Sequence, residues 1–426
     1  MTPNLNVNST QETRALQRQD CLHHHCKWQM NLGDGSMTRD SRKVNHRETD
    51  WWNEEFPVNQ ECIYLNHAAV APWPDRARKA VIAFANENTA LGASHYPEWI
   101  PTENRLRDNL GLLIDAPVDS IALVKNTSEA LSFVAYGLDW HLGDVVVISD
   151  QEFPSNRIVW ESLSNKGVTV KTVSVDGDNP EAELLAAIQQ SPRLVSISAV
   201  QYGTGIAMDL KRIGEACRAH GVLFCVDAIQ AVGTGPFSVT DTHADFAMAD
   251  GHKWLLGPEG LGFFYVRPDV MEQLALSEFG WHMVEHLGDY SRKDWQPATT
   301  ARRFECGSPN MLATFAFAAS TDLLLEVGLD VIQEKIADNT AYLRSGLEDI
   351  GANILTPAHA QGRSGIITFC FSHIDSEKLY RQLMAIGVVC ASRGGGIRFA
   401  PHFHTTKEVL DDALDAVARL VVIIEI

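Results

Sequence analysis

Residues 194–230 read LVSISAVQYGTGIAMDLKRIGEACRAHGVLFCVDAIQ, and this stretch decides the fold. LVSISAV (194–200) is a short apolar run of strand length. Asp209 is placed to cap the amphipathic helix LKRIGEACRAH, and Gly221 to stop it. VLFCV (222–226) is a second apolar run. Strand, helix, strand at this spacing is a βαβ unit, and its two strands run parallel because the helix carries the chain back.

The same alternation extends outward. IALV (121–124), DVVVIS (144–149) and VTVKTV (168–173) are expected strands. Residues 75–90, SEALSFVAYG (128–137) and 155–166 are expected helices, and Asn179-Pro180 is expected to open a helix over EAELLAAIQQ. DFAMA and GFFYV follow as strands on either side of residues 250–260. The pattern predicts an α/β fold with a large, mostly parallel sheet. Residues 310–350 read as two long helices. IITFCF (366–371), a helix over 376–386, VVCAS (388–392), GIRFA (396–400) and a helix over 406–422 predict a smaller α+β lobe. The expected division is a disordered extension over 1–45, an N-terminal segment packing on the active site over 46–73, a large domain over 74–310, and connecting helices with a small C-terminal domain over 311–426. The polar extension includes Cys21-Leu22-His23-His24-His25-Cys26, a tract able to bind a metal adventitiously but matching no closed tetrahedral site; no functional metal is expected.

The 426 residues carry 35 Lys and Arg against 54 Asp and Glu, a formal charge of −19, which argues against nucleic acid or an anionic membrane as partner. No run of 18 apolar residues exists, so no membrane-spanning helix is expected, and no secretory signal is visible. The eight cysteines, at 21, 26, 62, 217, 225, 306, 370 and 390, form no CxxC pair and read as reduced thiols of a cytoplasmic protein.

In such sheets ligands sit at the carboxyl ends of strands. Asp227 directly follows VLFCV; either it caps a helix or it is a buried carboxylate that needs a cationic partner. Lys253 stands 26 residues later in ADGHKWLLGPEG (249–260), after a strand and before a Gly-Pro turn. A lysine so placed is desolvated toward the free amine that Schiff-base chemistry uses. Together they suggest a pyridoxal phosphate site, where a carboxylate keeps the pyridine nitrogen protonated. Thr127 and Ser128, in Asn126-Thr127-Ser128-Glu129-Ala130 between a strand and a helix, could cradle the phosphate or form a plain N-cap.

The ordered set NTSEA, VDAIQ, DGHKWLLGPEG and FECGSPN resembles the class V aminotransferase family of fold-type I pyridoxal phosphate enzymes, over about residues 62–422. That family includes cysteine desulfurases, kynureninase and isopenicillin N epimerase-like proteins. The resemblance implies that Lys253 holds the cofactor as a Schiff base, Asp227 partners its pyridine nitrogen, and Gln230 lies near its phenolic oxygen. It implies phosphate contacts from Thr127, Ser128 and His252, ring stacking by Phe153, and a place under the cofactor for Gln201, beside Tyr202. Ser308, in Gly307-Ser308-Pro309-Asn310, matches a hydroxyl that reaches the partner subunit's phosphate, which implies a homodimer with shared active sites. Arg393 and Arg398 both match arginines that bind a substrate carboxylate, and His67 falls where the N-terminal segment lines the pocket. Core packing for Phe153, and structural roles for His67 and either arginine, are the ordinary alternatives.

Two departures matter. Asp250 stands where the family often has a serine; it is kept out of the phosphate set and expected to turn away or to pair with a donor. The stretch before Arg393 has no loop thiol, and Cys370 and Cys390 lie in apolar strand-like runs, which argues against a cysteine persulfide route. The implied function is a pyridoxal phosphate enzyme acting on an amino acid through an external aldimine, aminotransferase-like first. The alternatives are carbon–sulfur lyase or desulfurase-like activity, epimerase activity or, more remotely, a non-catalytic regulator.

Overall fold

The computed structural model of the chain describes residues 48–360 and 362–425. The expectations for residues 1–45, the Cys21–Cys26 tract included, lie outside them. After two short helices, Glu48–Glu55 and Val58–Glu61, come a short strand, β1 (Ile63–Tyr64), and two longer helices, α1 (Asp75–Leu91) and α2 (Tyr96–Ile114). The large sheet follows: β2 (Ile121–Val124), helix α3 (Thr127–Gly137), β3 (Val145–Ser149), β4 (Thr169–Val173), β5 (Leu194–Ser198), helix α4 (Leu210–His220), β6 (Leu223–Asp227), β7 (Phe246–Asp250) and β8 (Gly262–Val266). Its spatial order is β2-β8-β7-β6-β5-β3-β4, and only β8 runs against the rest. Asp209 caps α4 through its side chain on the Arg212 amide, and Gly221 ends it at φ 66°.

Strand side chains alternate between two apolar layers. Val147, Val195, Phe224 and Phe263 pack on one face; Val146, Leu194, Phe246 and Phe264 pack on the other. A sheet covered on both faces needs apolar residues at every position, which is why its strands read as continuous runs.

Helices α5 (Met311–Val327) and α6 (Leu329–Asp349) lead to the smaller lobe. Its antiparallel sheet has the order β12-β13-β10-β9, from β9 (Asn353–Ile354), β10 (Ile367–Cys370), β12 (Ala391–Arg393) and β13 (Gly396–Phe399), backed by α7 (Ser376–Ala385) and α8 (Lys407–Glu425). Strand β11 (Val388–Val389) instead pairs in parallel with β1.

Three local expectations need correction. VVCAS is not one strand: it breaks at Cys390, with β11 on β1 and β12 on β13. Asn179-Pro180 forms a turn, and the helix starts at Ala182 with no side-chain cap. The helix from Ser155 is α-helical only to Glu161 and tightens to 3-10 geometry over Ser162–Lys166. Among the described residues no helix is long and apolar enough to cross a membrane.

Candidate active site

Strands β2, β3, β5, β6 and β7 end around one cavity of about 250 Å³, whose walls include Thr127, Phe153, Tyr202, Asp227 and Lys253. Asp227 is the last residue of β6 and is buried. Its Oδ1 accepts from the Ile229 amide at 3.1 Å. Burial pushes its carboxyl up to about 7, with the negative Glu152 nearby adding to the rise and Lys253 opposing it. Lys253 sits in the turn between β7 and β8. Burial, with Asp227 opposing the fall and Arg398 adding to it, brings its amine down to about 8. Its Nζ lies 5.6 Å from the centre of the Phe153 ring.

The helix α3 starts at the cavity wall. Asn126, not Thr127, is its side-chain cap, accepting from the Glu129 amide at 2.9 Å. The Thr127 amide donates to Asp250 Oδ1 at 2.5 Å and its hydroxyl to the same oxygen at 3.2 Å, so Asp250 pairs with a donor. The Ser128 hydroxyl donates to Ser155 Oγ at 2.9 Å. His252 is driven down to about 4 by burial and by Lys253, so its ring is neutral at pH 7, and its buried Nδ1 has no hydrogen-bond partner.

The opposite wall comes from the small lobe. Arg398, on β13, is buried; one terminal nitrogen donates to the Tyr202 carbonyl at 2.7 Å, and its Nε is buried without a partner. Arg393 is exposed at the rim and donates to its neighbour's carbonyl, Ser392 O, at 2.7 Å. This loop can approach only because Gly394 is a glycine. Its φ is +59°, and a Cβ there would stand 2.3 Å from the Gly203 carbonyl oxygen. From the N-terminal side, Ala68 and Ala69 line the cavity, and Ala71 N donates to His252 O at 2.7 Å.

Nine expected site residues share this cavity: Thr127, Ser128, Phe153, Asp227, Gln230, His252, Lys253, Arg393 and Arg398. Gln230 accepts from Trp254 Nε1 at 2.7 Å and donates to Ala68 O at 3.0 Å. Two others depart from expectation, while Ser308, expected to reach a partner subunit's phosphate, is not tested by a single chain. Gln201 is fully buried behind the wall, with its amide donating to Glu152 at 3.1 Å, while its neighbour Tyr202 lines the cavity. His67 is also fully buried, its Nδ1 donating to Ala400 O (2.8 Å) and its Nε2 accepting from His404 Nε2 (3.2 Å), and makes no part of the wall. Ser308 lines a separate cavity with Lys125, Glu278 and Cys306.

Glu152 was not anticipated. It is buried and accepts from Ser149 Oγ (2.8 Å), Asn156 Nδ2 (2.8 Å), Ser198 N (2.9 Å) and Gln201 Nε2 (3.1 Å). The signal was there: a carboxylate just past the buried strand β3, with Asn156 four residues on.

These residues fit pyridoxal phosphate. Lys253 supplies an amine near neutrality, Asp227 a buried carboxylate for a ring nitrogen, and Phe153 an aromatic face. The serine hydroxyls and the unpartnered His252 nitrogen stand beside the α3 N-terminus, where a phosphate is favoured.

The comparisons agree on the architecture. The chain matches an apo cysteine desulfurase structure from Thermococcus onnurineus with a TM-score of 0.80 at 22% identity, covering 89% of this chain and 99% of that one. The fold is therefore that of the fold-type I enzymes. The family model "Aminotransferase class-V" matches residues 63–409. The chain is 31% identical to an uncharacterised aminotransferase of Bacillus subtilis, over 86% of this chain and 96% of that protein. It is 29% identical to a probable cysteine desulfurase of Methanothermobacter thermautotrophicus, over 86% of this chain and 97% of that protein. The chain belongs to the class V aminotransferase family.

Proposed function

We propose that the chain is a pyridoxal phosphate enzyme that moves a proton at the α-carbon of an α-amino acid, with transamination as the net reaction and a second copy of the chain completing the site. The observation that carries this is Arg398. Its buried guanidinium has an unpartnered Nε and no carboxylate partner among the described residues, on the same wall as Lys253. A buried charge left unpaired is costly, and a substrate carboxylate gives arginine a two-point partner. Arg393, at the rim, is left to gate or orient.

The cofactor would be held by Lys253 and Asp227, with Ser128 and His252 toward its phosphate; when bound it supplies the electron sink for a negative charge at the α-carbon. Burial brings Lys253 Nζ to about 8, so that a free-amine fraction is within reach near neutral pH to take the α-proton and return it. Asp227, its carboxyl raised by burial to about 7, would be held in its charged form by a protonated ring nitrogen beside it. Phe153 and Tyr202, edge to face at 5.1 Å, would give the bound ring an apolar aromatic wall.

Carbon–sulfur bond cleavage is the second reading, favoured by the probable cysteine desulfurase named above at 29% identity. Among the described residues no cysteine lines the cavity, and burial pushes Cys390 up to about 12. Sulfur released here would then leave by β-elimination with pyruvate as coproduct. The six described cysteines are free thiols, which suits a cytoplasmic enzyme.

The test is a panel of L-amino acids, cysteine included, given to the holoenzyme with and without a keto-acid acceptor. Keto acid formed only with the acceptor supports transamination. Pyruvate and sulfide without an acceptor move the assignment to the second reading. Alanine appearing in step with a protein persulfide would overturn transamination and the β-elimination route and make the chain a desulfurase after all; turnover surviving in Lys253→Ala would overturn both readings.

A further inference from the structure

Asp250 ends β7 and turns its carboxylate onto the helix that faces the cavity. Its Oδ1 takes both the amide and the hydroxyl of Thr127, at 2.5 and 3.2 Å. Its Oδ2 stands 3.5 Å from His252 Nδ1. First-turn amides are the donors a phosphate uses at a helix start. In α3 the side chain of Asn126 already takes the Glu129 amide, and Asp250 takes Thr127. A carboxylate of the protein thus occupies donors that an incoming phosphate would seek.

Two anions at one helix end repel, more strongly in a partly dry cavity than in water. The charged and titratable groups around Asp250 do not cancel this. Lys253 and a neutral His252 face it from its own turn, Glu259 from the loop beyond, and Asp227 from the neighbouring strand β6. Lysine is the one cation among them. The repulsion is relieved if Asp250 gives up its charge.

Resting on the cofactor reading above, we propose that Asp250 takes up one proton from solvent as the cofactor's phosphate enters, and then serves that phosphate as a hydrogen-bond donor. The proton comes from water, and no other bond forms or breaks in the step. Burial has already pushed the carboxyl up to about 6 before any phosphate arrives, so one further negative charge beside it is enough at pH 7. A serine in its place would offer a hydroxyl at no proton cost. Asparagine keeps the acceptor for Thr127 and mimics the neutral acid.

The test uses full-length protein freed of cofactor, titrated with pyridoxal phosphate and, separately, with pyridoxal, which has no phosphate. Between pH 7 and 9 the Kd of the wild type for pyridoxal phosphate should rise by about tenfold per pH unit relative to Asp250→Asn. With pyridoxal the two proteins should show parallel profiles. In weak buffer with an indicator dye, the wild type should take up about one more proton per pyridoxal phosphate bound than Asp250→Asn. Asp250→Ser should bind pyridoxal phosphate at least about tenfold tighter than wild type at pH 8. Parallel pH profiles with the phosphate form, or equal proton counts, would overturn the inference and leave the cofactor reading intact. Failure of the wild type to bind either compound would overturn the cofactor reading, and this inference with it.

Discussion

Lys253 shows what a single residue gains from its place in the chain. An exposed lysine titrates near 10.4; this one sits past a buried strand, between Asp227 and Arg398, and burial brings it to about 8. The free amine, not the ammonium, attacks an aldehyde. Lowering the pH through 8 therefore removes the reactive form, and raising it above 8 adds little more. In cofactor-free protein the rate of Schiff-base formation with pyridoxal phosphate, followed by absorbance, should rise about tenfold from pH 6 to 7 and level off above about 8.5. A rate still climbing tenfold per unit at pH 10 would mean an ordinary lysine. Lys253, Asp227 and Thr127 could be picked out from residue type alone because each follows an apolar run of strand length. Glu152 also follows such a run, although part of its shell, Ser198 and Gln201, comes from far along the chain; the burial of Arg398 could not be read, since it depends on the distant Tyr202 and Asn66. Gln201 and His67 miss the wall by a single residue, and Tyr202 and Ala68 line it instead. Which of two neighbours faces a cavity is set by local backbone direction, which residue type does not encode in a loop.

At the scale of elements, the sheet was readable to the residue in places. IALV and GFFYV are β2 and β8 as expected, because a run buried on both faces leaves no polar position to blur its ends. Helix α2 carries no such announcement: its prolines at 97 and 101 look like breaks, yet the first falls in the opening turn, where an amide has no intrahelical partner to lose. The split of VVCAS was hidden because changing partners at Cys390 leaves the apolar pattern intact. Three loops meet where no periodicity speaks. His67, His402 and His404 are all fully covered, joined by the 3.2 Å contact of His67 with His404, by His402 Nε2 donating to Trp254 O at 3.0 Å, and by Phe56 stacked on His404 at 3.6 Å. They tie the N-terminal segment, the Lys253 turn and the C-terminal lobe together. Burial lowers the pKa of all three, His67 to about 4 from an ordinary 6.5. A depressed histidine leaves the folded state with fewer protons than the unfolded chain. Its stabilising share is present above pH 6.5 and is lost as pH falls toward 4. For His67 alone that share is about 3 kcal/mol. Urea unfolding at pH 7.5 and 5 should show a clear loss of stability at the lower pH, with a shallower loss in His404→Phe, which keeps the ring stacking and removes one titrating group. Equal midpoints for the wild type at both pH values would rule out a neutral-locked cluster.

At the scale of the molecule, the chain leaves a cluster of aromatic rings open to water. Between β8 and α5 the chain carries Phe279, Tyr290 and Trp295 at 63%, 74% and 54% exposure, around a hollow of about 460 Å³ also lined by Met283 and Val284. Each such ring left in water forgoes roughly 2 kcal/mol of burial, and apolar patches of this kind mark interaction surfaces. Farther along the same connection lies Ser308, whose own cavity is apart from the one holding Lys253. A second copy of the chain, related by a two-fold axis, would cover the rings in both subunits at once and carry each Ser308 toward the other's site. Sedimentation should therefore give twice the chain mass, and Phe279→Glu with Trp295→Glu should give a monomer of unchanged far-ultraviolet circular dichroism that loses cofactor on dialysis. Sharing of the site has its own signature. If Ser308→Ala alone is impaired, mixing it with Lys253→Ala subunits puts both lesions in one site of each mixed dimer and leaves the other site intact. Random exchange makes half of the dimers mixed, so activity should recover to about a quarter of the wild type. Subunit exchange confirmed by mass, with no recovery, would mean that each chain builds its site alone and that Ser308 serves only its own fold.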